Sequence, residues 1–291
     1  PYDSNLRTSN PKNNMPAFVS VKDPKSGKTI LGAEDGVNQS YCDLLFYVDA
    51  TPGSSIDDPE RPSIPDEGDK EEPKPDEDEN VTGTLAFEDI WPSGGDYDMN
   101  DVIVEYERKV YFDKKNIVTK IVDEFTPVHD GATYVNAFAY QIDAAQIGDK
   151  ITLPEGAILE KETSSIIVMS NAKQNIGNKY VVTREFNGSF LKNQLLSYNP
   201  YIIVKYSQGE QNRTEVHLPK HKATAYANQS LIGSNDDAYY IDRKGAYPFA
   251  IDIPMLGFTP VTERNRIDSQ YPGFTTWAKS MGNDCKDWYK K

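Results

Sequence analysis

Residues 101–112 read DVIVEYERKVYF, and their alternation decides the fold. Val102, Val104, Tyr106, Val110 and Phe112 fall on one face, with Glu105, Glu107 and Lys109 on the other. A two-residue period with one polar face is the pattern of a half-buried antiparallel strand. Similar short runs follow at residues 117–122, 134–142, 165–169, 180–183, 201–206, 214–218 and 249–253. Gly, Pro, Asn and Asp cluster between them, as in the turns of a sandwich. Eighteen tyrosines suit such strands, since pleated surfaces favour aromatics. Helical spacing is confined to residues 189–196 and to 272–281 (PGFTTWAKSM). In the second of these, Phe274, Trp277, Ala278 and Met281 are expected to face the core, with Trp288 packed nearby. The pattern predicts an all-β, mainly antiparallel β-sandwich with small helical insertions.

Upstream, the composition changes. Residues 57–79, DDPERPSIPDEGDKEEPKPDEDE, carry twelve acidic and three basic residues and five prolines. This stretch cannot bury enough apolar surface to offset its ordering entropy, and its like charges repel. It is expected to lack regular structure, as a linker or long loop over residues 57–80. Before it, residues 1–56 hold two strand-like runs, 17–21 and 43–49, too few for an independent domain. They are expected to belong to a larger sheet. Residues 81–291 form the main domain.

The formal charge of the whole chain is −14, and the acidic stretch accounts for −9 of it. The remainder is only mildly acidic and has no Lys/Arg cluster, so nucleic acid is not an expected partner. No apolar run is long enough for a transmembrane helix. The opening PYDSNLRTSN has neither a basic start nor an apolar stretch, so a signal peptide is expected to be absent or already removed. Two cysteines, Cys42 and Cys285, supply neither a disulfide framework nor a cysteine-rich zinc site.

The segment that carries chemistry is residues 86–106, AFEDIWPSGGDYDMNDVIVEY. A Pro-Ser-Gly-Gly turn leads into Asp96, Asp98, Asn100 and Asp101 just before the strand begins. Alternating short acidic side chains in a tight loop can turn several oxygens inward, as a hard cation such as calcium requires. Glu88 and Asp89, on the incoming segment, are further candidate ligands. The spacing also matches the first half of an EF-hand loop, with Glu107 at its twelfth position. That match fails, because the sixth position is Asp101 rather than glycine. A strand after Asp101 would also place Glu107 about 20 Å away. The bland alternative is that Asp89 and Asp101 cap turns by bonding local backbone. Residues 32–48, GAEDGVNQSYCDLLFYV, echo the segment faintly but lack its extra aspartates.

The string FEDIWPSGGDYDMNDVIVEY resembles the signature of the LruC-type domain of surface-exposed and lipid-anchored proteins of Bacteroidetes. The resemblance continues through TEVHLPKHKATAYANQSLIGSNDDAYY, YPFAIDIP and YPGFTTWAKSMGNDCKDWY, and so covers about residues 81–291. It implies a secreted or lipoprotein-type β-rich module at the cell surface or outer membrane, suspected of adhesion or calcium binding, and it does not imply an enzyme. The expected partner is an extracellular ligand, a glycan or a surface protein.

Catalytic signatures are sparse. There is no G-x-S-x-G elbow, and neither cysteine has an adjacent histidine. Gly27-Lys28-Thr29 lacks the earlier glycine of a phosphate loop. His217 and His221 are four apart, but Pro219 lies between them and breaks any helix that would pair them on zinc. Trp91, Trp277 and Trp288 could each stack on sugars, though a packing role is the commoner one. The competing reading is a carbohydrate-binding or glycan-hydrolysing accessory of a polysaccharide-uptake system.

Overall fold

The computed structural model describes residues 18–22, 28–33, 44–48, 76–188, 190–233, 240–242, 244 and 246–290. The chain divides into two compact units, Pro1–Pro73 and Lys74–Lys291. In the first, β1 (Phe18–Lys22), β2 (Thr29–Ala33) and β3 (Leu44–Val48) make a three-stranded antiparallel sheet of their own. The sequence had suggested two strands lent to a larger sheet; β2, TILGA, was too short and too plain to stand out. Residues 34–43, with Cys42 and most of the faint echo, lie outside the described residues.

The second unit is a sandwich of two antiparallel sheets. Its strands are β4 (Asp76–Phe87), β5 (Val102–Phe112), β6 (Val118–His129), β7 (Ala137–Gln141), β8 (Lys150–Thr152), β9 (Ile158–Glu160), β10 (Ser165–Met169), β11 (Tyr180–Glu185), β12 (Asn199–Val204), β13 (Thr214–His217) and β14 (Ala250–Ile253). One sheet runs β14-β4-β5-β6-β11-β8 and the other β13-β12-β7-β10-β9. The long β5 holds the first sheet together, pairing with β4 from Val102 to Phe112 and with β6 from Ile103 to Phe112. The sheets meet through alternate side chains: Phe125 of β6 packs on Phe138 and Tyr140 of β7, each with ring centroids 5.1 Å apart. Strands β10 and β12 are buried along their whole length, which explains why they read as continuous apolar runs.

Three expectations need correction. Strand β4 begins at Asp76, inside the stretch expected to lack regular structure. Its first residues pair with Phe112 and Tyr111, while residues 57–75 lie outside the described residues. Residues 190–196 hold only a 3-10 turn, Lys192–Gln194. The C-terminal helices are short, α1 (Ile267–Gln270) and α2 (Phe274–Lys279). Phe274, Ala278 and Trp288 are buried as expected, but Trp277 is only half-buried and Met281 is 60% exposed. The helix ends at Lys279, and Met281 takes a left-handed backbone (φ 52°) that breaks the helical register.

Charge is also buried between the sheets. Asp123 of β6 and Arg184 of β11 lie 3.3 Å apart, almost inaccessible to solvent. The hydroxyls of Tyr140 and Tyr198 donate to the same carboxylate, and Arg184 Nη1 donates to Gln146 O. Elsewhere, Arg213 bonds both Glu215 and Glu160, and the ring nitrogens of His217 face Glu215 and Asn199. His217 is thus fixed within a strand network and does not join His221 as a pair.

Candidate metal centre

The connection from β4 to β5 builds the site. Glu88 leaves β4 with its N–H donated to Phe249 O, and the chain then turns through Ile90–Ser93. From Asp96 onward the backbone alternates. Tyr97 and Met99 both have left-handed φ values, 56° and 55°. Non-glycine residues take that conformation at a cost of roughly 1–3 kcal/mol each, so surrounding contacts must impose it. Those contacts are visible. Met99 is fully buried, and Tyr97 packs against Tyr247 and Phe249 at 5.5 and 5.4 Å. With its apolar members plugged into the core, the loop turns Asp96 and Asp98 toward Glu88.

One carboxylate oxygen from each of Glu88, Asp96 and Asp98 lies within 4.8 Å of the others. Glu88 Oε1 accepts the Met99 N–H at 2.6 Å, whereas Oε2 is buried with no hydrogen-bond partner. Room for Oε2 is made by Gly95, where a Cβ would stand 2.6 Å from it. Asp98 Oδ2 accepts the Arg264 N–H at 2.9 Å. Asp96 is the most accessible of the three.

The other sequence candidates face elsewhere. Asn100 donates to Val261 O at 3.0 Å and turns its carbonyl oxygen against Gly131, where a Cβ would meet it at 2.6 Å. Asp101 accepts the Asp89 N–H at 2.7 Å, and Asp89 in turn accepts from Asn136 Nδ2. Asp89, Asn100 and Asp101 therefore brace the loop beside the carboxylate trio rather than joining it. Glu107, far along β5, accepts from Asn80. Trp91 is buried against Tyr240, at 4.7 Å between rings, so its role is packing. Sequence reasoning missed Gly95, Val261 and Arg264, and only the glycine left any mark in the sequence.

The electrostatics follow from crowding acids under a lid of protein. Burial, then the neighbouring Asp101, Asp98 and Asp96 charges, hold the Glu88 pKa well above the usual carboxylate range. Burial likewise pushes Asp98 up to about 6, with Asp96 adding to it. Asp101 rises to about 7, through burial and the Asp89 carboxylate. A divalent cation among Glu88, Asp96 and Asp98 would turn this repulsion into attraction. Three carboxylates fill only part of a calcium shell of six to eight oxygens, and the open side at Asp96 leaves room for water.

Comparison with known proteins places one family on this chain: a domain of unknown function (DUF4842) matches residues 116–289. The matched region starts beyond the acidic loop. No curated protein and no solved structure matches.

Proposed function

We propose, from the premise that this chain belongs to the DUF4842 family and that the family's description names no activity, that it is a calcium-binding β-sandwich module serving adhesion or surface assembly rather than catalysis. The observation that carries the reading is Glu88 Oε2, a buried carboxylate oxygen without a partner, within 4.8 Å of carboxylate oxygens of Asp96 and Asp98. Leaving such an atom unsatisfied costs several kcal/mol, and a cation removes that cost. The same loop ties distant segments together through Arg264 N–H, Val261 O and the Ile267 N–H bond to Tyr97 O. Ion binding would therefore stiffen one end of the sandwich, as a surface module under load requires. The resemblance of residues 87–106 to LruC-type proteins supports a location outside the cytoplasm as part of this proposal. Extracellular calcium would suit an accessible site with affinity of about 10⁻⁴ to 10⁻³ M.

The experiment is isothermal titration with calcium and with magnesium, beside melting curves in calcium or chelator. Calcium should bind and raise the melting temperature, as any ligand of the native state does. Asp98→Ala and Glu88→Gln should each remove that rise. No heat and no shift with calcium would refute the proposal.

A further inference from the structure

A second site lies away from the acidic loop, along an open edge of the sandwich. Strands β14 and β13 are the outermost of their sheets, and a groove there has two lobes of about 230 and 210 Å³. The lobes adjoin at Leu218, His221 and Asp252, which line both. Together they reach the range of small-molecule pockets, roughly 300–1,000 Å³. One lobe is walled by Trp277, Pro219 and Met281, the other by Tyr106, Arg108 and Tyr198.

The polar groups are placed by the strand register. Tyr106 on β5 stands opposite Gly83 on β4, and Asp252 on β14 stands opposite Leu85. Paired residues share a face, so Tyr106, Gly83, Leu85 and Asp252 all point between the sheets. Because residue 83 has no side chain, the Tyr106 ring lies across β4, where a Cβ would meet its Oη at 2.6 Å and its ring carbons at 2.7 Å. The hydroxyl thereby reaches Asp252 at 3.0 and 3.3 Å. Among the described residues nothing else donates to Asp252, and the ring nitrogens of His221 have no partner. Arg108 stacks on Tyr198 at 3.6 Å and pairs with Asp123 at 3.6 Å.

The groove thus offers an indole and aliphatic wall, an acceptor-only carboxylate, and an imidazole that both donates and accepts. Asp252, which lines both lobes, repels phosphates and carboxylates, while Lys220 in one lobe and Arg108 in the other disfavour ammonium groups, so the mixed signs favour a neutral ligand. A sugar ring has the complementary surface, an apolar C–H face rimmed by neutral hydroxyls. We propose that this groove binds a neutral saccharide, with a pyranose ring stacked on Trp277 and its hydroxyls bonded to Asp252 and His221. Trp91 and Trp288 are buried, so of the three tryptophans Trp277 is the one available for stacking. The site shares no residue with the calcium loop, and either reading can fail without the other.

The full chain should be titrated calorimetrically with cellohexaose, laminarihexaose, xylohexaose, mannohexaose and maltohexaose, with n-butylammonium as a cationic control. At least one hexasaccharide should bind. Asp252→Asn should weaken it at least about tenfold, since a charge-assisted hydrogen bond becomes a neutral one and one acceptor oxygen becomes a donor, while the remaining amide oxygen still accepts from Tyr106 and keeps the melting temperature close to that of the parent chain. Trp277→Ala should weaken it too, with Asp252→Asn deciding the matter if that variant folds poorly. Binding of none of the five, binding that survives Asp252→Asn at full strength, or binding of n-butylammonium instead would overturn the proposal.

Discussion

Replacing Gly83 by alanine tests the architecture of the groove with a single methyl group. The added Cβ would sit 2.6 Å from Tyr106 Oη and 2.7 Å from two of its ring carbons, so the ring must leave its place across β4. Overpacking of this kind costs roughly 1–3 kcal/mol. Moving the ring also breaks the Tyr106–Asp252 hydrogen bond, worth about 1 kcal/mol at an accessible position. Gly83→Ala should therefore cost about 2–4 kcal/mol. In a Tyr106→Ala background the obstacle is gone, and the same change should be neutral or stabilising by about 0.5 kcal/mol, since alanine loses less entropy on folding than glycine. The assay is urea unfolding followed by tryptophan fluorescence. Trp91, Trp277 and Trp288 are the only tryptophans and all fall in the second unit, so the signal reports on that unit alone. The difference between the two backgrounds gives the coupling, expected near 2 kcal/mol or more. A cost below about 0.5 kcal/mol in the Tyr106 background, or equal costs in both, would refute the reasoning.

Gly95→Ala should abolish stabilisation by calcium without removing any carboxylate, because its Cβ would stand 2.6 Å from Glu88 Oε2; melting curves with and without calcium check this. Asp123→Ala should cost about 3–5 kcal/mol in urea unfolding, since Arg184 would be left buried without its ion-pair partner. Stability should also depend on pH in two opposite ways. Burial raises Asp98 and Asp101 to about 6 and about 7 from an ordinary 3.8, so without calcium the native state holds extra protons between about 4 and 7 and loses stability as pH rises through that window. Calcium should flatten this limb in melting curves across pH. Burial alone would raise Glu215, but His217, Arg213 and Thr224 outweigh it and hold its pKa at about 2, so its contribution is intact above about 4.5 and disappears as pH falls toward 2. In chelator, Asp98→Asn should therefore gain stability relative to the parent chain as pH rises from about 4 to 7; a difference between the two that does not change with pH would contradict this.

The strands that the sequence announced were those with one solvated face or a continuous apolar run. Strand β5 forms where DVIVEYERKVYF predicts it, although its first three residues, Val102, Ile103 and Val104, are all buried instead of alternating, and Ser165–Met169 matches its run residue for residue. Strand β4, central to its sheet, was not legible, because DEDENVTG opens it with charge and then a glycine. Both oddities have reasons only in three dimensions: Gly83 makes way for Tyr106, and the acidic start pairs with the end of β5. The buried ions were equally hidden, since Asp123 and Arg184 look like solvent-face residues until their sheet is closed. At the acidic loop, composition marked the carboxylates but not their directions. Spacing cannot reveal that the left-handed Tyr97 and Met99 turn Asp96 and Asp98 toward Glu88, while Asn100 is held by Val261.

The pairing of β4 with β14 has a consequence for how the unit is made. The hydrogen bond from Thr84 Oγ1 to Met255 O joins residues 171 apart in the chain. On the ribosome, β4 and β5 can form a hairpin long before β14 emerges, leaving β4 with a bare edge whose last three residues, LAF, are apolar. Such an edge recruits other chains. The first residues of β4 in the sequence, DEDE, carry like charges that would repel a second copy laid alongside. Those acidic residues would then protect the nascent chain during the interval before its own last strand covers the edge.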